Sequence, residues 1–371
     1  MTATKGLEGI VATTSAISSI HNDVLTYRGY SIQDLAERST FEEVVYLLWN
    51  GDLPNADQLS VFRSRLADES SVPQEIYELI QHLPDHNVHP MAVIRTAVSA
   101  LGILDEQADK MNVNANMEKA VRIQAKISTI VAAFSRIRRG MDPIAPNHNL
   151  SFAANFLYML SGVEPSEVAA RTFDKALILH ADHELNASTF TARVCVATLS
   201  DIYSGVTAAI GALKGPLHGG ANEQVMRMLD HIHSVEEADC YIEDALANKQ
   251  KIMGFGHRVY KNGDPRARIQ KKMAEELTRD NGNEKLYVLS AHIEDLIKER
   301  KGLLPNTDFY SATIYHTLGI ETDLFTPVFA ISRMSGWVAH ILEQYSDNRL
   351  IRPRAEYNGQ PQRDYIPLNE R

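Results

Sequence analysis

Beyond the first thirty or so residues, apolar positions recur at helical spacing along almost the whole chain. Ser39-Thr40-Phe41-Glu42-Glu43 reads as a capping box ahead of Val44, Val45, Leu47, Leu48 and Trp49. Asn50-Gly51-Asp52-Leu53-Pro54 stops that helix. Further helices are expected over Ala56–Ala67, Pro73–Leu83, from Pro90 to Gly102, over Met117–Arg138, Asn149–Ser161 and Ser166–Leu185. The Ala- and Ser-rich stretch Ala187–Leu213 suits close helix packing. Val225, Met226, Met228, Leu229 and Ile232 mark the next, followed by Glu236–Asn248, Arg266–Asn281, Lys285–Arg300, Tyr310–Leu318 and Pro327–Tyr345. Only the N-terminal region differs. Gly9–Ile20 and Val24–Tyr30, rich in Val, Ile, Thr and Ser, predict two strands around a His21-Asn22-Asp23 turn. No internal repeat or low-complexity segment interrupts this pattern.

At 371 residues, 44% hydrophobic and 23% charged, the chain has the composition of a globular protein with a substantial core. A formal net charge of -10 argues against nucleic acid and anionic membrane partners. An anionic ligand would therefore need a local cationic island. Two cysteines, Cys195 and Cys240, make no disulfide framework; they read as small buried hydrophobes and suit a cytoplasmic location. The N-terminus carries no apolar signal region, and uncharged Pro143–Val163 is broken by two prolines and three asparagines, so no membrane span is expected. The basic run Arg136 to Arg139 sits where a helix dipole favours cations. The polar tail Ser346–Arg371 reads as a loosely held terminus.

Five stretches carry candidate chemistry. In Gly215-Pro216-Leu217-His218-Gly219-Gly220, glycine and proline let backbone approach a ligand, and a helix start just beyond disfavours imidazolium. A neutral His218 can then donate to an oxygen gaining negative charge; a helix-capping loop is the competing reading. His180-Ala181-Asp182-His183-Glu184 would place His180 one helical turn from His183 and Glu184. Ala187 stands where His-Glu-x-x-His needs its second histidine, so a polar helix end facing a ligand fits better than a metal site. Lys251 to Lys261 contains Gly254-Phe255-Gly256 but lacks the third glycine of a dinucleotide fingerprint. Its histidine and cations, continuing to Asp264-Pro265-Arg266, suit phosphate or carboxylate, with a basic surface loop as the alternative. Asp308 in Pro305-Asn306-Thr307-Asp308 reads as a carboxylate base or a helix N-cap. Arg333, within an apolar helix, must find a partner or ligand, and Arg352 follows in Ile351-Arg352-Pro353-Arg354.

In this order the segments HADHE, GPLHGGANE, GFGHRVYKNGDPR, PNTDFY, FAISR and IRPRAEY, with HPM at His89–Met91 and YLLWNGDLP upstream, resemble the citrate synthase family over nearly the whole chain. The compact length is similar to that of its shorter bacterial and archaeal members. The resemblance implies an all-α, two-domain fold with a short N-terminal β-hairpin: a large domain over 1–217, an inserted small domain over 218–320, and the large domain resuming over 321–371 with an interface arm. It implies condensation of acetyl-CoA with oxaloacetate and hydrolysis of citryl-CoA, the first step of the tricarboxylic acid cycle. Asp308 would be the base, His218 the enol stabiliser and His257 the acid. His183, Arg266, Arg333 and Arg352 would hold oxaloacetate, and Lys251, Ile252, Met253, Gly254, Phe255 and Lys261 would contact CoA. No metal or cofactor is implied, since acetyl-CoA is a substrate. The resemblance further implies a homodimer in which Arg352 enters the neighbouring site. A 2-methylcitrate synthase using propionyl-CoA is the nearer alternative, and a non-catalytic CoA-binding protein the distant one.

Overall fold

The computed structural model describes residues 5–7, 9–84, 88–257, 259–260 and 262–371. Among them the chain forms sixteen α-helices and one small sheet. The sheet is antiparallel in the order β1 (Ser18–His21), β2 (Val24–Tyr27), β3 (Tyr30–Ser31). Leu25 and Tyr27 alternate inward while Thr26 faces Ser19 across the ladder. The strand expected from Gly9 begins only at Ser18, and a third strand of two residues extends the hairpin.

The helices are α1 (Ile32–Arg38), α2 (Phe41–Asn50), α3 (Ala56–Asp68), α4 (Gln74–His82), α5 (Pro90–Leu104), α6 (Val113–Ile137), α7 (Phe152–Ser161) and α8 (Glu167–His180). They continue as α9 (Ala187–Val196), α10 (Ile202–Leu213), α11 (Ala221–Asp230), α12 (Val235–Ala247), α13 (Pro265–Asp280), α14 (Glu284–Lys301), α15 (Thr307–Thr317) and α16 (Phe325–Ser346). The expected capping box is present: Thr40 and Glu43 reciprocally satisfy each other's N–H groups at the start of α2. Gly51 ends that helix in the left-handed region at φ 92°. Short α1, capped by Ser31, escaped the hydrophobic pattern.

The stretch Ala187–Leu213 forms two helices, because Leu199 turns to φ 64° and Asp201 accepts the Ser204 N–H as a new N-cap. The helix expected to reach Leu185 stops at His180, so His183 and Glu184 do not lie a turn beyond it on one helix. Arg138 does more than face a dipole; it forks onto Asp323 at 2.5 and 2.8 Å and also pairs with Glu321. Cys195 is half-buried and Cys240 exposed, so the second cysteine is not a core residue.

The core gathers around α16, which packs on α2, α6, α8, α9 and α10. It buries Trp337, Phe325, Ile331 and Met334 completely. Trp49 of α2 donates its indole N–H to the Ser335 carbonyl at 2.9 Å, tying the YLLWNG segment to this helix. Helices α11 to α15 pack largely on one another, and α13 and α15 also reach α8. No helix among the described residues is long and apolar enough to cross a membrane.

Candidate active site

Two loops meet to form one wall of a cavity of about 720 Å³. Gly256 N–H donates to the Leu304 carbonyl and Asn306 N–H to the Gly254 carbonyl, each at 2.9 Å, while the Asn306 amide reaches the Gly256 carbonyl. This pairing brings His257 and Asp308, far apart in sequence, to the same cavity. It needs glycine at position 254, where φ is 84° and a Cβ would lie 2.7 Å from Val225. Asn306, not Asp308, caps α15; its side chain accepts the Asp308 N–H at 3.0 Å. Asp308 is thereby released from capping.

The loop between α8 and α9 contributes a second wall. Glu184 adopts φ 48°, an uncommon conformation for a residue with a side chain. Two contacts to β1 hold it there: its N–H donates to Ser18 Oγ at 3.0 Å, and its carboxylate accepts the Ile20 N–H at 2.8 Å. His183, between Asp182 and Glu184, is thus presented to the cavity by clamped backbone. Tyr260 OH lies 3.1 Å from its Nε2.

His218 enters from the turn before α11, whose cap is Gly220 at φ 81°. At the adjacent Gly219 a Cβ would fall 2.2 Å from the Leu213 carbonyl, so only glycine closes the turn. Ser188 N–H donates to His218 Nε2 at 3.2 Å. That nitrogen therefore carries the lone pair and the ring proton sits on Nδ1. Burial, aided by the positive Arg333, lowers the His218 pKa to about 4, so the ring is neutral at pH 7. Desolvation is the first cause of this shift and the neighbouring cation the second.

His257 has the opposite tautomer. Its Nδ1 accepts the N–H groups of Val259 and Tyr260 at 3.0 and 3.3 Å, leaving the proton on Nε2. Burial is also the chief cause of its lowered pKa, with Asp264 opposing and Arg266 assisting. Asp308 moves the other way: burial raises its carboxyl to about 6, against the pull of Arg266. The cavity therefore holds three neutral imidazoles, two of them, His218 and His257, with an assigned N–H, and a carboxyl poised near neutrality.

The cationic island is built from two buried arginines. Arg266 forks onto Asp264 at 2.9 and 2.8 Å. Arg333 donates Nε–H to the His180 carbonyl at 2.8 Å and lies over the Phe329 ring. Among the described residues Arg333 forms no ion pair with a carboxylate. Both guanidiniums line the cavity; Arg333 brings an uncompensated charge to an anion, while Arg266, its charge balanced by Asp264, offers its remaining N–H donors. His180 itself is buried behind the cavity, its ring between Thr307 at 2.9 Å and Tyr315 at 3.1 Å.

Of the sequence-predicted residues, His183, His218, His257, Arg266, Asp308 and Arg333 converge on this cavity. Arg352 lies exposed on the tail and does not reach it within the one chain. In the segment expected at CoA, Gly254 and Phe255 are buried, Ile252 and Met253 half-buried and Lys251 exposed; none lines the cavity. Lys261 lies outside the described residues. Asn222, Leu7 and Ile10 border the cavity without a role legible in the sequence, and Ser188, Tyr260 and Asp264 support it from behind, through His218, His183 and Arg266. Asp264 was legible as the acidic residue of the Asp-Pro-Arg segment; Ser188 carried no local signal. His89 of the upstream HPM segment meets the GPLHGGANE segment, its Nε2 lying 3.4 Å from Glu223.

A helical protein with three neutral imidazoles, a raised carboxyl and two arginines around one cavity is equipped to enolise a carbonyl compound beside a bound carboxylate. The family model described as citrate synthase, C-terminal domain, matches residues 6–354. The chain is 62% identical to "Citrate synthase 2" of Bacillus subtilis (strain 168), covering 100% of both. It is 45% identical to "2-methylcitrate synthase 2" of Corynebacterium glutamicum, covering 99% of this chain and 97% of that one. The citrate synthase of Thermoplasma acidophilum, solved as a ternary complex with carboxymethyl coenzyme A and oxaloacetate, superposes with a TM-score of 0.92 at 36% identity, over 99% of each chain. The chain belongs to the citrate synthase family.

Proposed function

We propose that this chain condenses acetyl-CoA with oxaloacetate and hydrolyses the resulting citryl-CoA to citrate and CoA. The observation that carries the reading is the complementary pair of imidazole tautomers that share the cavity with Asp308. Asp308, mostly ionised at neutral pH, removes a methyl proton of the thioester. The Nδ1–H of His218 stabilises the oxygen of the forming enol. The Nε2–H of His257 protonates the carbonyl oxygen of oxaloacetate as the new C–C bond closes. Arg266, Arg333 and His183 hold the oxaloacetate carboxylates. Segment Lys251 to Phe255, with Lys261, contacts CoA.

The working unit is a homodimer with shared sites, the tail carrying Arg352 into the neighbouring cleft. The chain divides into a large domain, 1–217 with 321–371, and a small domain, 218–320, closing on it to exclude water from the enolate. The reaction would serve the first step of the tricarboxylic acid cycle in the cytoplasm, without a cofactor. Propionyl-CoA is the second substrate to consider, because a 2-methylcitrate synthase stands at 45% identity. One methylene is worth only about 1–3 kcal/mol of discrimination.

Thiol release from acetyl-CoA and propionyl-CoA, each with and without oxaloacetate, tests this reading in the wild type and in Asp308→Ala. Oxaloacetate-dependent release favouring acetyl-CoA and lost in the variant is expected. A higher kcat/KM for propionyl-CoA assigns the second substrate, and no release from either overturns the reading.

A further inference from the structure

Asp182 precedes the oxaloacetate ligand His183 and is completely buried. Its Oδ2 accepts from Ser18 Oγ and lies 3.4 Å from Nε2 of His340, itself 1% exposed on α16. On the far side of that ring, His340 Nδ1 lies 3.0 Å from Nη1 of Arg193. An arginine can only donate, so Nδ1 is the acceptor and the His340 proton belongs to Nε2, aimed at Asp182. Arg193 is held in turn by Glu343 at 2.6 Å and Gln344 at 3.1 Å. Gly336, one helical turn before His340, leaves no space behind the same loop: a Cβ there would meet the Ala181 carbonyl at 2.4 Å. Thus α16 presses on the loop, and a chain of buried polar groups sets its register.

The geometry points to His340 as a positioning residue for oxaloacetate binding: locked by Arg193 as an Nε2–H donor, it fixes Asp182 and so the backbone that presents His183. The inference rests on oxaloacetate being the ligand of this cavity. His340 does not line the cavity, so it acts only through its neighbours. The same arginine also anchors the root of the C-terminal tail, since Gln344 donates to the Asn348 side chain at 3.0 Å.

The test measures oxaloacetate binding to the full chain by calorimetry, and KM for both substrates, in His340→Phe, His340→Gln, Asp182→Asn and the double variant Asp182→Asn/His340→Phe. In His340→Phe the Kd for oxaloacetate is expected to rise about tenfold or more, with the acetyl-CoA KM nearly unchanged. Glutamine, which restores an N–H donor at the Nε2 position, should recover most of that loss. The double variant should be no worse than its poorer parent, as expected for groups acting as one unit. Unchanged oxaloacetate affinity in a folded His340→Phe protein overturns the inference. So does a loss shared equally by both substrates and not rescued by glutamine, which would mark packing alone. A wild type that binds oxaloacetate but condenses nothing would sink the proposed reaction while leaving this pattern decisive; a wild type that does not bind oxaloacetate overturns both.

Discussion

Ser188 N–H and His218 Nε2 stand 3.2 Å apart, joining the start of α9 to a turn thirty residues further along the chain. A main-chain amide cannot reverse its role, so this contact assigns the His218 tautomer more firmly than the hydroxyl at 2.8 Å, which can donate or accept. Removing the imidazole by His218→Ala should therefore lower kcat by about 10²–10³, the usual cost of losing one oxyanion donor. Ser188→Ala keeps the amide and should cost less than about tenfold. Steady-state kinetics of the two variants checks the ranking; a Ser188→Ala loss as deep as that of His218→Ala would mean that the hydroxyl sets the tautomer.

Activity should fall on the acid side as Asp308 takes up a proton. Burial holds its carboxyl at about 6, so kcat/KM should drop about tenfold per unit below that pH. The sign for stability is opposite. The folded pKa lies above the ordinary 3.8, so this group's contribution is complete below 3.8 and is lost as pH rises through about 6. Asp308→Asn should consequently raise Tm at pH 8 and change it little near pH 4, as scanning calorimetry would register. An equal Tm gain at both values would contradict the burial account.

At Gly336 the Cβ of an alanine would stand 2.4 Å from the Ala181 carbonyl and 2.5 Å from Asp182 Oδ1. Neither backbone nor a buried carboxylate yields easily. Gly336→Ala should lose about 1–3 kcal/mol of stability, the range for overpacked interiors. Because the displaced loop carries His183, the oxaloacetate KM should rise as well. Urea unfolding together with kinetics checks both; full stability with normal KM would show that the loop is free to move.

Arg352 is exposed and does not line the cavity of its own chain, while the proposed function places it in the neighbour's. Inactive His257→Ala and Arg352→Ala proteins, unfolded together and refolded, should regain activity: hybrid dimers hold one site with both residues intact. Failure of the mixture to recover would speak against sharing.

Local chemistry along the chain announced much of the helical fold. The Thr40–Glu43 capping box, the Gly51 stop and the apolar faces of α2, α6 and α16 follow from side chains within a turn or two of one another. The break between α9 and α10 was harder to see, because it depends on a backbone reversal at Leu199 rather than on a glycine or proline. The tiny strand Tyr30–Ser31 and helix α1 were too short to build a period.

The sequence by itself determined which residue types were available for chemistry and, through motif order, the family they resemble. It supplied three histidines, one carboxylate and several arginines in recognisable segments. Their states were decided only by the tertiary structure. The proton on His218 depends on Ser188, that on His257 on the turn at Val259 and Tyr260, and that on His340 on Arg193. The raised carboxyl of Asp308 and the lowered imidazole of His218 both depend first on burial. Hydrogen-bond direction and desolvation arise between groups distant along the chain, so they exist only once packing has brought those groups together and removed the water between them.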